Sequence, residues 1–124
     1  MFAPSSIPPL QIRREPGWTF LSLPGCDALN EYNSPLLAQR LEQLPEVGTG
    51  ECLLFDLSGI RYVSSTGLGL LVGLNHRIRA AGGRLLLANA GPLVREVLAV
   101  TRLDSVLEIL PDESSEPAAG ALSA

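Results

Sequence analysis

Two short, unbroken apolar runs constrain this chain most: Cys52-Leu-Leu-Phe-Asp-Leu and Arg84-Leu-Leu-Leu-Ala. A strand with one wet face alternates apolar and polar residues, so an unbroken run reads as a strand covered on both faces. Between the runs, Leu71, Leu74 and Ile78 recur at intervals of three and four residues, which is a helical stripe, and Gly82-Gly83 closes it. Parallel neighbours need a crossover of a dozen or more residues, and that helix supplies one. Strands alternating with helices imply a largely parallel sheet with right-handed crossovers, an α/β fold.

The flanking segments extend the pattern. Leu10-Gln-Ile-Arg alternates weakly, Trp18-Thr-Phe-Leu-Ser-Leu has strand composition, and Glu15-Pro16-Gly17 supplies a turn between them, so an N-terminal hairpin is expected. Ser34-Pro35 reads as an N-cap and first helical residue. Leu37, Leu41 and Leu44 form the stripe that follows, ended by Pro45 and Gly48. Pro92 opens a third helix with Val94, Val97 and Leu98 on one face, and Val106 to Leu110 forms a last, partly exposed strand. The expected order is β-β-α-β-α-β-α-β, one domain over residues 10–110. A Pro- and Ser-rich lead-in covers 1–9, and a small, acidic, disordered tail covers 111–124.

Composition excludes several classes. With 9 basic and 13 acidic residues the chain carries −4, against a nucleic-acid binder that works by neutralising phosphates. The richest apolar stretch, Leu68 to Leu74, is broken by Gly69 and Gly73 and falls far short of the ~20 residues a bilayer requires, so no membrane insertion is expected. The N-terminal Met1-Phe2-Ala3-Pro4 lacks a signal-peptide pattern, and a cytoplasmic domain is the expectation. Cys26 and Cys52 have no Cys-x-x-Cys partner. One disulfide between them is compatible with the sequence, although two reduced thiols are the default. With His76 the sole histidine, soft ligands are too few for zinc. His76, Arg77, Arg79 and Arg84 read as a solvated face or a dock for an acidic surface, and no nucleophile–base trio accompanies the histidine. Gly67-x-Gly69 lacks the remaining features of a dinucleotide or Walker site, so no cofactor and no enzymatic activity are expected.

The chemically suggestive stretch is Ser64-Ser65-Thr66-Gly67-Leu68-Gly69, at the start of the central helix. One side-chain oxygen suffices for an N-cap, and each glycine within a helix costs about 1 kcal/mol relative to alanine, so three hydroxyls and two glycines call for a reason. A polar cap with glycines that let the helix pack tightly on the sheet is one reading. The other is a hydroxyl displayed at a helix N-terminus, where free N–H groups and the positive dipole end receive a phosphate well. Phosphorylation there would add about −1.5 to −2 charges and switch a docking surface.

The run DLSGIRYVSSTGLGLLVGL resembles the signature of the STAS domain family, the anti-sigma factor antagonists: a buried strand ending in Asp, a short loop, then Asp-Ser-Ser/Thr-Gly-Leu-Gly opening a helix. Leu29-Asn30-Glu31-Tyr32-Asn33-Ser34-Pro35 is similar to the family's Leu-Asp-x-x-Asn-Ala-Pro, and Ala88-Asn89-Ala90 with Pro92, Val97-Leu98 and Leu103-Asp104 also fits. The resemblance spans residues 10–110 and implies a phosphorylated serine at Ser65, with Thr66 and Ser64 as alternative acceptors. It implies a partner surface of Asn30, Asp56, Ser64, Ser65, Thr66, Gly67, Leu68 and Gly69. Ser64 and Asn30 stand where the family carries acids; Asp56 is retained. The implied partners are an anti-sigma factor serine/threonine kinase, bound in the unphosphorylated state so that a sigma factor is released, and a PP2C-type phosphatase that reverses phosphorylation. A phosphorylation-independent scaffold or accessory subunit, stressosome-like or of a lipid ABC transporter, is the alternative.

Overall fold

The computed structural model describes residues 9–111; apart from Pro9 and Pro111, the expected lead-in and tail lie outside the described residues. β1 (Gln11–Glu15) and β2 (Trp18–Ser22) pair antiparallel around Pro16-Gly17, the hairpin the sequence predicts. β3 (Ala28–Leu29) leads to α1 (Ser34–Glu42) and a 3-10 turn, Pro45–Gly48. β4 (Cys52–Asp56), β5 (Tyr62–Val63) and α2 (Ser65–Ala80) follow. The described chain ends with β6 (Arg84–Ala88), α3 (Pro92–Val100), a 3-10 turn at Leu103–Ser105, and β7 (Glu108–Ile109). The main sheet runs β1-β2-β4-β6-β7 and is parallel except for its β1–β2 pair.

Strand parity divides the interior. Leu21, Leu53, Phe55, Leu57, Leu85 and Leu87 share one core with Leu37 and Leu41 of α1, Leu71 and Ile78 of α2, and Val94 and Leu98 of α3. The alternate residues Leu54, Leu86 and Ala88 are buried on the opposite face, in a cluster with Trp18, Phe20, Cys52 and Leu110 and no helical side chain among the described residues. Both faces of β4 and β6 are therefore covered, as their unbroken runs require, but the described helices all cover the same one. Trp18 and Phe20 meet edge to face at 6.2 Å, with the Arg13 guanidinium over both rings. Bidentate pairing of Arg84 with Glu108 ties β6 to β7. Buried Glu46 accepts from Arg14 and fastens the first 3-10 turn to the hairpin.

Three local expectations shift. Asn33, not Ser34, occupies the N-cap of α1, and Ser34 is a buried first helical residue. Leu44 lies beyond the end of α1, in the connection to the 3-10 turn, and still packs against the core. Val97 is only half-buried, while Val94 and Leu98 carry the inner face of α3. The end of α2 is as expected: Gly82 adopts φ +88°, and the N–H groups of Gly82 and Gly83 reach back to the Arg79 and Ile78 carbonyls, a Schellman closure.

Candidate functional site

A feature absent from the expected element order builds the site. β3 and β5 form a separate two-stranded parallel sheet, with Ala28 opposite Tyr62 and Leu29 opposite Val63. Each strand has two residues, too few to show periodicity, and the partners lie far apart in sequence. The pairing sets the loop after Leu29 beside the start of α2, and the Ser64 N–H donates to the Leu29 carbonyl at 2.8 Å.

Two asparagines shape that loop. The Asn30 carboxamide oxygen accepts from the Tyr32 and Asn33 N–H groups, each at 2.9 Å, while the Asn30 N–H donates to Asn33 Oδ1 at 2.9 Å. This reciprocal clasp at a spacing of three works like a capping box. Asn33 Nδ2 also donates to the Ala28 carbonyl at 2.9 Å, anchoring the loop to β3. Asn33 belongs to the family-like run before α1, and the Asn-x-x-Asn spacing is the signal for its pairing with Asn30.

The three hydroxyls at the head of α2 have different environments. Ser64 is the N-cap: it is buried, and its Oγ accepts from the Gly67 N–H at 3.2 Å. Its carbonyl accepts from the Leu68 N–H at 2.8 Å. Ser65 and Thr66 are exposed, at the open end of the helix where backbone N–H groups point outward. One hydroxyl therefore builds the cap and two are presented to solvent, beside the positive end of a 16-residue helix. No acidic side chain occupies the first turn.

The two glycines also differ. A Cβ on Gly67 would lie 2.6 Å from the Leu29 carbonyl oxygen and 2.9 Å from both Leu29 Cβ and Val63 Cγ1, so α2 can seat against the small sheet only without a side chain there. Gly69 is exposed, and its missing Cβ would meet nothing within 4 Å. It lies one turn beyond Ser65, on the same helical face. With Gly73 it lines a shallow cleft against Ala38, Leu41 and Glu42 of α1. Leu68, half-buried, packs on the core.

The structure thus brings together Asn30, Ser64, Ser65, Thr66, Gly67, Leu68 and Gly69. Asp56 closes β4 on the parity of Cys52 and Leu54, and its carboxylate accepts from the Ser58 N–H (3.0 Å), the Ser58 hydroxyl (2.9 Å) and Asn89 Nδ2 (2.8 Å). Asn89, absent from the sequence-derived set, adopts φ +58°, a conformation asparagine tolerates better than most residues. Cys26 and Cys52 are free, and burial pushes both thiols up. His76 is exposed on α2. No described helix is long and apolar enough to cross a membrane.

Comparison with known proteins is consistent across sequence and structure. A family model of the STAS domain matches residues 10–116. The anti-sigma-B factor antagonist of Bacillus subtilis is 31% identical over 81 residues, which cover 65% of this chain and 72% of that protein. An anti-sigma-factor antagonist (STAS) domain protein from Planctomyces limnophilus superposes with a TM-score of 0.69 at 26% identity, covering 84% of this chain and 90% of the other. An anti-sigma factor antagonist from Mycobacterium paratuberculosis shares the fold with a TM-score of 0.72 at 23% identity, covering 99% and 97% of the two chains.

Proposed function

The chain belongs to the STAS domain family, and from that premise we propose that it is an anti-sigma factor antagonist switched by phosphorylation at Ser65. Unphosphorylated, it binds an anti-sigma factor serine kinase and so frees a sigma factor. That kinase phosphorylates Ser65, and a PP2C-type phosphatase restores the hydroxyl. The observation that carries this reading is the division of labour among the hydroxyls: Ser64 is buried as the cap, whereas Ser65 is exposed at the first position of α2.

The mechanism is electrostatic. The partner surface comprises Asn30, Ser64, Ser65, Thr66, Gly67, Leu68 and Gly69. Gly69 leaves the helix face beside the Ser65 hydroxyl low enough for another chain to lie against it. Asp56 completes this surface, and its hydrogen bonds to Ser58 and Asn89 hold the turn that follows β4. Phosphate on Ser65 adds about −1.5 to −2 charges, which the outward N–H groups and the helix dipole stabilise in the free protein. Burying that dianion against a surface shaped for a neutral hydroxyl would strip its hydration, so the complex is disfavoured and the free state favoured. Ser64 and Asn30 are both uncharged, so phosphorylation supplies the negative charge at this helix end in a single step.

The test is intact-mass and phosphopeptide analysis of the protein from its native cells, before and after phosphatase treatment. The expected species is heavier by about 80 Da, phosphatase-sensitive and modified at Ser65. Ser65→Ala should retain the kinase partner constitutively, and Ser65→Glu should bind it poorly. A chain unmodified across growth and stress conditions, with equal partner affinity for both variants, refutes the switch and favours a phosphorylation-independent scaffold.

A further inference from the structure

α3 is apolar on two sides. Val94 and Leu98 face the core, while Leu93, Val97 and Val100 form a second stripe spaced four and three residues apart, the spacing of a helix–helix seam. This outer stripe borders an open groove of about 370 Å³ whose other wall is Arg61, Tyr62 and Val63. Tyr62 is 58% exposed, Leu93 55% and Val100 77%. They are three of the five large apolar side chains exposed among the described residues, gathered around one groove.

We propose that this groove is a homodimer interface, in which the outer stripe of α3 packs across a two-fold axis against α3 and Tyr62 of a second copy. Charge selects this occupant. The chain as a whole carries −4, which opposes self-association, but the groove presents one cation, Arg61, and one anion, Glu96. Neither has an ion-pair partner among the described residues. A two-fold contact is isologous, so the Arg61 of each copy meets the Glu96 of the other and the surface complements itself. Size sets the strength. Tyr62, Leu93 and Val100 together expose on the order of 300 Å², enough to mark a contact surface on a small protein. A contact built around three such side chains falls in the size class of weak, reversible association. The inference is independent of the state of Ser65.

Sedimentation equilibrium of the full chain, from about 5 to about 500 μM, tests it over the range in which a small interface associates. A monomer–dimer equilibrium is expected, weakened at least ~10-fold by Val100→Asp, the loss that truncating a central apolar contact brings. Arg61→Glu and Glu96→Arg should each weaken it, and the double swap should restore it to within about threefold of the wild type. Because these residues lie outside the core, each variant should keep the wild-type circular dichroism spectrum and melting temperature. The double swap reads the interface independently of Val100. A monomer throughout the range overturns the proposal and leaves the groove to a different protein. Equally decisive against it are a dimer indifferent to Val100→Asp and a double swap no tighter than the single ones.

Discussion

Alanine at Gly67 and alanine at Gly69 should have opposite effects on stability, although the two glycines sit two residues apart in one helix. Propensity alone favours alanine at both by about 1 kcal/mol. At Gly69 the new methyl group enters open space, so Gly69→Ala should realise that gain and raise the melting temperature by roughly 4–8 °C for a domain of this size. At Gly67 the added carbon would lie 2.6 Å from the Leu29 carbonyl oxygen and 2.9 Å from two further carbons. The nearest obstacle is backbone, so β3 must move. Overpacking of this kind costs about 1–3 kcal/mol. The movement also strains the 2.8 Å bond from the Ser64 N–H to the Leu29 carbonyl, which contributes about 1 kcal/mol. After subtracting the propensity gain, Gly67→Ala should lose about 1–3 kcal/mol and melt roughly 5–20 °C below the wild type. Urea and thermal unfolding followed by circular dichroism measure both variants. A Gly67→Ala protein as stable as the wild type would refute the close approach of α2 to the small sheet. A loss at Gly69→Ala would refute its open surroundings.

Two further predictions concern stability. Arg102 adopts φ +62°, a left-handed conformation that an L-residue holds at a cost of about 1 kcal/mol, so Arg102→Gly should unfold at higher urea concentration than the wild type. The hydrogen bond from Arg14 holds the Glu46 carboxyl below the usual carboxylate range, against the opposing effect of burial. A lowered folded value means that the pair contributes stability above the ordinary glutamate value of ~4.3, and that this is lost as pH falls through the folded value. Glu46→Gln should therefore melt below the wild type at neutral pH, with a gap that narrows on acidification. A gap constant from pH 7 to 3 would show that the ionised pair is not its source.

How much of this was legible depended on whether the deciding contacts were local. β4, β6 and α2 stand out because their apolar periodicity is dense and each side chain's neighbours along the element are its neighbours in sequence. The small sheet was invisible: its two ladder pairs join Ala28 to Tyr62 and Leu29 to Val63, and nothing in either dipeptide announces the other. The capping role of Asn33 was concealed by the stronger Ser34-Pro35 signal beside it. The unbroken apolar runs required cover on both faces of the sheet without saying that the described helices would share one of them.

By itself, then, the sequence determined an α/β domain with a serine- and threonine-rich helix start, because backbone propensity, capping and periodic burial are written over a few adjacent residues. Only the tertiary structure decided which hydroxyl is spent on the cap and which are displayed, and which glycine is compulsory. It alone gave the Asp56 carboxylate its partners in Ser58 and Asn89, and it alone exposed the second stripe of α3. Those outcomes rest on approaches between segments tens of residues apart, where a few tenths of an ångström decide whether a side chain fits.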